Sequence, residues 1–190
     1  MKILVIDNYD SFTYILVNYL RELSGLEIDV FRNDKIDLDE IGKYDKILIS
    51  PGPGVPHEAG ITIDLIKRWA PQKSILGVCL GCQAIAESYG GEIFNLESVY
   101  HGVATNMSVK DSSDRLFREI PENFLAGRYH SWVIKEENLP SDIKITARDD
   151  KGLIMAVTHK KYDLKGVQFH PESVLTKHGK KMIANWLDIG

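Results

Sequence analysis

The sequence has only two cysteines in 190 residues, at positions 79 and 82. A pair this close cannot staple a fold, which excludes a secreted disulfide scaffold and predicts reduced thiols in a cytoplasmic protein. An excess of basic charge is also missing. Lys and Arg number 23 against 27 Asp and Glu, for a net charge of −4. That balance argues against a general nucleic-acid binder, which would carry a basic face. No apolar run approaches the roughly 20 residues that span a bilayer. The opening run, Ile3 to Ile6, is too short for a signal peptide and ends on Asp7, so it predicts a first strand and no membrane association. Repeats, low-complexity tracts and linker-like breaks are absent, and residues 1–190 read as a single domain. With 44% hydrophobic residues, that domain can build its own core.

What is present centres on residues 74–91. Ile75, Leu76 and Val78 read as the end of a buried strand, Cys82 to Tyr89 as a helix, and Gly90-Gly91 as its C-terminal stop. Between strand and helix, Gly77-Val78-Cys79-Leu80-Gly81 has the G-x-nucleophile-x-G form of an elbow, with cysteine in the serine's place. The glycines permit a sharp turn that presents one side chain at the sheet edge. A helix N-terminus behind that side chain favours its anionic form, so Cys79 is a candidate nucleophile.

The first half alternates short apolar runs with amphipathic stripes. Ile3–Ile6, Ile28–Phe31, Lys46–Ile49 and Ile75–Val78 predict strands. Phe12 to Leu23 and Ile61 to Trp69 predict helices, and Asp37 to Gly42 a shorter helical stretch. This rhythm predicts an α/β fold with an open, mostly parallel twisted sheet covered by helices on both faces. Val99–Val109, Asn123–Val133, Ile143–Arg148, Ile154–His159 and Leu164–Phe169 predict further strands with short turns, some forming a small antiparallel extension. Lys177 to Leu187 closes the chain as a helix. The loops at 7–11, 50–56 and 79–81 all fall at strand C-termini, the edge where open α/β sheets bind ligands.

A thiol nucleophile needs a base, and His170 in Gly166-Val167-Gln168-Phe169-His170-Pro171-Glu172-Ser173 offers one. Spacing of two in extended chain puts His170 and Glu172 on the same side, so the carboxylate can orient the imidazole toward Cys79. Taken alone, His170 could simply end a strand above a solvated Glu172; beside the elbow, the catalytic reading is the better one. The Leu80 N–H supplies one oxyanion donor, and the Pro51-Gly52-Pro53-Gly54 loop is the obvious source of another. Cys79-Leu80-Gly81-Cys82 also has the C-x-x-C form of a redox dithiol. That reading leaves the elbow glycines and the His-Pro-Glu segment without a role, and Cys82 reads instead as a small buried helix residue. A zinc site is weaker still, with no second close pair of Cys or His.

Five blocks give the chain a family resemblance: Asp7-Asn8-Tyr9-Asp10-Ser11-Phe12-Thr13, Ser50-Pro51-Gly52-Pro53-Gly54, Gly77-Val78-Cys79-Leu80-Gly81, Arg128-Tyr129-His130-Ser131 and Gly166 to Ser173. Over essentially its whole length it resembles the class I, triad-type glutamine amidotransferases, specifically the small subunits of anthranilate synthase and aminodeoxychorismate synthase. The resemblance implies Cys79 as nucleophile, His170 as base and acid, and Glu172 as orienter. It implies oxyanion donors from Gly52 and Leu80. Gln83 and the Ser131-Trp132 backbone would hold the α-amino and α-carboxylate ends of L-glutamine, with Gly54 lining the pocket. It further implies ammonia transfer to a large chorismate-binding synthase subunit, and no cofactor in this chain, since the magnesium would sit in that partner. The alternatives are a free-standing amidase and a purely docking subunit. Three positions depart from the family pattern: Ile15 for asparagine, Cys82 for histidine and Val103 for lysine. They bear on partner contact and signalling rather than on the triad.

Overall fold

The computed structural model describes residues 1–188, so Ile189 and Gly190 of the expected 1–190 domain lie outside the described residues. The first half contains β1 (Ile3–Asp7), α1 (Thr13–Ser24), β2 (Ile28–Arg32), β3 (Lys46–Ile49), α2 (Thr62–Trp69), β4 (Ser74–Val78) and α3 (Leu80–Ser88). The second half contains β5 (Ile93–Asn95), β6 (Val103–Val109), β7 (Asn123–Arg128), β8 (Trp132–Ile134), β9 (Ile143–Asp149), β10 (Ile154–His159), β11 (Leu164–Val167) and α4 (Gly179–Leu187). No described helix is long and apolar enough to cross a membrane.

Among the described residues, nine strands form one sheet in the order β2-β1-β3-β4-β11-β10-β9-β6-β7. From β2 to β11 neighbours run parallel. From β11 to β7 they run antiparallel. The antiparallel strands thus continue the parallel sheet edge to edge, with β11, late in the chain, inserted at its middle. The unbroken apolar run of β1 follows from burial on both faces. Ile3 and Val5 pack with Leu16 and Leu20 of α1 and Ile183 and Trp186 of α4. Leu4 and Ile6 pack on the other side with Leu65 and Ile66 of α2 and Ala84 and Ile85 of α3.

Several boundaries differ from the sequence expectation, each for a tertiary reason. Helix α3 begins at Leu80 rather than Cys82, because Cys79 alone makes the turn and serves as the helix cap. Its end is as expected: Gly90 N–H donates to the Glu87 carbonyl at 3.0 Å and Gly91 N–H to the Ala86 carbonyl at 2.9 Å, a Schellman closure. The stretch 123–133 is not one strand. β7 stops at Arg128, and β8 leaves the main sheet to pair with β5 in a separate two-stranded sheet, Asn95 opposite Trp132. The stretch 99–109 is strand only from Val103. β11 stops at Val167, where the Gln168 N–H turns to the Met155 carbonyl at 2.8 Å.

The parallel order places the C-terminal ends of β1, β3, β4 and β11 side by side. Four separated sequence blocks therefore meet at one sheet edge, and the 129–131 break reaches them because His170 N–H bonds the Gly127 carbonyl at 3.0 Å.

Candidate active site

The elbow is tight enough to demand its glycines. A Cβ on Gly77 would lie 2.4 Å from both the carbonyl carbon and the oxygen of Gly81, closer than any side chain tolerates. Cys79 between them adopts φ 53° and ψ −103°, outside the ordinary regions for a side-chain-bearing residue. Such a conformation stores about 1–3 kcal/mol and persists only where its surroundings impose it. Here the Cys79 N–H is held by the Val167 carbonyl at 2.8 Å, which ties the elbow to the strand leading to His170. Cys79 is 5% exposed.

His170 and Glu172 meet as their spacing suggests, with Nδ1 2.6 Å from Glu172 Oε1 and both residues buried. A carboxylate accepts, so Nδ1 carries the proton and Nε2 is left without a hydrogen-bond partner among the described residues. The ring is clamped by Tyr129, 4.9 Å away between centroids, and by Phe12, edge-on at 6.0 Å. Burial pushes the imidazole toward neutrality. The adjacent Cys79 thiol and the Glu172 carboxylate outweigh it and raise the His170 pKa to about 10. The site thus favours imidazolium next to sulfur.

Cys79, Leu80, Gly52, Gly54, Gln83, Ser131 and Trp132 all line one cavity of about 210 Å³. Leu80 is the first residue of α3, where a backbone N–H has no intrahelical acceptor. The Gly52 N–H pairs with no backbone acceptor among the described residues. Gly52 must be glycine, since its Cβ would lie 2.6 Å from Asn8 Cβ. Asn8 anchors this loop: its N–H donates to Ser50 Oγ and its amide nitrogen to the Ser50 carbonyl, both at 2.9 Å. The first sequence block therefore works by setting the position of the third strand's loop. Gln83 Nε2 donates to the Trp132 carbonyl at 2.9 Å and to Gln168 Oε1 at 3.1 Å, leaving its own amide oxygen as an acceptor.

Sequence reasoning missed four contributors. Tyr129 and Phe12 pack on His170, and Gln168 Nε2 lies 3.5 Å from Cys79 Sγ. His130 shares the Trp132 carbonyl through Nδ1 at 3.0 Å and receives Arg128 Nε at 3.1 Å. Burial, then the Arg128 charge, lower its pKa to about 3, so it is a neutral structural imidazole. Gln168 sits inside a block the sequence already singled out, but only strand order shows what it touches. Cys82 is fully buried, and a Cβ on Gly166 would lie 2.8 Å from its Sγ. Burial first, and Cys79 second, push the Cys82 thiol far up, which disfavours a reactive dithiol. Among the described residues no three His, Cys, Asp or Glu side chains group as a metal site.

A thiol backed by an imidazole and a carboxylate, facing backbone donors in one cavity, is equipped for acyl transfer from an amide or ester. On an open α/β sheet, this defines a thiol-dependent hydrolase or transferase. Comparison with known proteins narrows the class: the family "Glutamine amidotransferase class-I" matches residues 4–189, and the chain belongs to it. The chain is 46% identical to the aminodeoxychorismate/anthranilate synthase component 2 of Bacillus subtilis, over 98% of this chain and 95% of that protein. It is 44% identical to the bifunctional protein TrpGD of Thermotoga maritima, covering 99% of this chain but 32% of that longer protein. Among solved structures, a Thermoplasma acidophilum protein assigned to GMP synthase superposes with a TM-score of 0.87 at 28% identity. That match covers 100% of this chain and 93% of the other.

Proposed function

We propose that this chain is the glutaminase subunit of a chorismate-aminating synthase, hydrolysing L-glutamine to glutamate and ammonia. The Cys79 thiolate attacks the side-chain amide carbon, and the resulting oxyanion is taken by the N–H groups of Gly52 and Leu80. Imidazolium at His170 protonates the departing nitrogen, so ammonia leaves and a γ-glutamyl thioester remains. His170, now neutral, takes a proton from water; hydroxide attacks the thioester, glutamate is released, and the Cys79 thiolate and His170 imidazolium are restored. Glu172 holds the imidazole throughout. The α-ammonium end pairs with the Gln83 amide oxygen. Both lone pairs of the Trp132 carbonyl are already taken by Gln83 and His130, so Ser131 and Trp132 offer N–H donors, suited to the α-carboxylate.

The observation that carries this reading is the convergence of Cys79, Leu80, Gly52, Gln83 and Ser131 on one cavity, with His170 and Glu172 behind the thiol. Ammonia passes to a large chorismate-binding partner in the cytoplasm, and the magnesium of the synthase is assigned to that partner. Anthranilate is the favoured product. The name of the B. subtilis relative joins both syntheses, which supports a glutaminase that can serve aminodeoxychorismate synthesis as well. Of the departures from the family pattern, Ile15 and Val103 are exposed, where a partner can reach them, while Cys82 is buried. Cys79→Ser in the reconstituted complex should abolish product formed from glutamine and spare product formed from free ammonia. Full glutamine-dependent turnover by that variant would overturn the assignment.

A further inference from the structure

Gln168 is wholly buried between the nucleophile and the cavity wall, and no step above uses it. Its amide nitrogen lies 3.5 Å from Cys79 Sγ, and its amide oxygen receives Gln83 Nε2 at 3.1 Å. Gln83 Nε2 also donates to the Trp132 carbonyl at 2.9 Å. The direction of this chain of bonds follows from chemistry. A backbone carbonyl can only accept, so Gln83 must turn its NH₂ toward Trp132. The same NH₂ faces Gln168, which must then answer with its oxygen. The Gln168 NH₂ is thereby left facing sulfur. Its backbone is held separately, by the Met155 carbonyl, in the segment that runs directly into His170.

We infer that Gln168 is a fixed donor to the Cys79 sulfur, held in that orientation by the Gln83 and Trp132 contacts that line the substrate cavity. The inference rests on the glutaminase reading of that cavity. An N–H donor interacts more strongly with S⁻ than with SH, so Gln168 favours the form that attacks and restrains where its lone pairs point. Because the amide relay ends on Gln83 and Trp132, a substrate engaging Gln83 is connected to the nucleophile through two hydrogen bonds rather than through the backbone.

The test compares wild type with Gln168→Glu and Gln168→Met. The glutamate variant keeps the oxygen that accepts from Gln83 and removes the donor to sulfur; the methionine variant keeps volume and removes both. Circular dichroism establishes folding. Alkylation of Cys79 by iodoacetamide is followed across neutral pH, and kcat and KM for glutamine are measured in the complex with the large synthase partner. Alkylation at neutral pH should fall roughly tenfold or more in either folded variant, the size of one lost charge-assisted hydrogen bond. In Gln168→Glu the deficit should widen as pH rises and the introduced carboxyl ionises, while kcat falls and KM holds. Wild-type alkylation rates with unchanged kcat in a folded variant would overturn the inference. Failure of glutamine to acylate Cys79 in the wild-type complex would instead overturn the glutaminase reading, and the alkylation rates would still decide the role of Gln168.

Discussion

The buried pair Arg128–Asp149 supports the wall of the cavity, and Asp149→Asn measures how much. Nη1 lies 2.5 Å from Asp149 Oδ2, and the two side chains are 0% and 2% exposed. The guanidinium also lies 3.6 Å over the Tyr100 ring and donates to His130, which in turn holds the Trp132 carbonyl. The remaining nitrogen, Nη2, has no partner among the described residues, so Asp149 is the guanidinium's one counter-charge there. Asparagine preserves shape and the Oδ1 acceptor that holds the Lys151 and Leu153 N–H groups at 3.0 and 2.8 Å. It removes the charge and puts an NH₂ donor where Oδ2 accepted from Arg128 Nη1. Stranding a buried cation costs about 3–5 kcal/mol. At about 2–4 °C per kcal/mol for a chain of this size, the melting temperature should drop by about 6–20 °C. Thermal and urea unfolding check this, and the double variant Arg128→Met with Asp149→Asn, which keeps the Oδ1 acceptor and strands no cation, should recover part of the loss. A drop below about 1 kcal/mol, the range of an exposed pair, would refute the reasoning.

Glu172→Gln should lower glutamine-dependent kcat by about 10²–10⁴-fold, because an amide holds Nδ1 less firmly and no longer supports the imidazolium. The alkaline limb of its pH–rate profile should move down, since the carboxylate is one of the two groups that raise the His170 pKa to about 10. A variant with wild-type kcat would refute the orienting role. The two buried histidines also set stability against pH in separate windows. His130 has a folded pKa of about 3 against 6.5, so its contribution is complete above pH 6.5 and is lost as pH falls toward 3. His170 is raised, so its contribution is complete below pH 6.5 and is lost as pH rises through about 10. Urea midpoints across pH should therefore show a shallower acid limb in His130→Gln; an unchanged limb would count against this account.

Much of the architecture was legible because its signals are local. The bounds of β3 and β10 follow directly from apolar runs, since those strands are buried along their length. The elbow was legible because two glycines around a cysteine have one tight conformation to serve. Gln168 and Tyr129 were not legible as neighbours of Cys79 and His170. One is reached through a side-chain relay across 85 positions to Gln83, the other through a break in a strand. That break was invisible because residues 123–133 are uniformly strand-like. Tertiary pairing of His170 with Gly127 and of β8 with β5 cuts the run in two.

By itself, then, the sequence determined a nucleophile presented at a sheet edge, a His-x-Glu pair close enough to bond, and a proline-glycine loop able to offer a backbone donor. Each is a short-range consequence of residue type and spacing. Only the tertiary structure decided that these pieces share one cavity, because that depends on β1, β3, β4 and β11 lying side by side despite their separation in the chain. It also decided the protonation of the histidines. His130 is held neutral chiefly by burial and His170 is charged chiefly by Cys79, both of which depend on the packing of distant strands, while Arg128 and Glu172 act from two residues away.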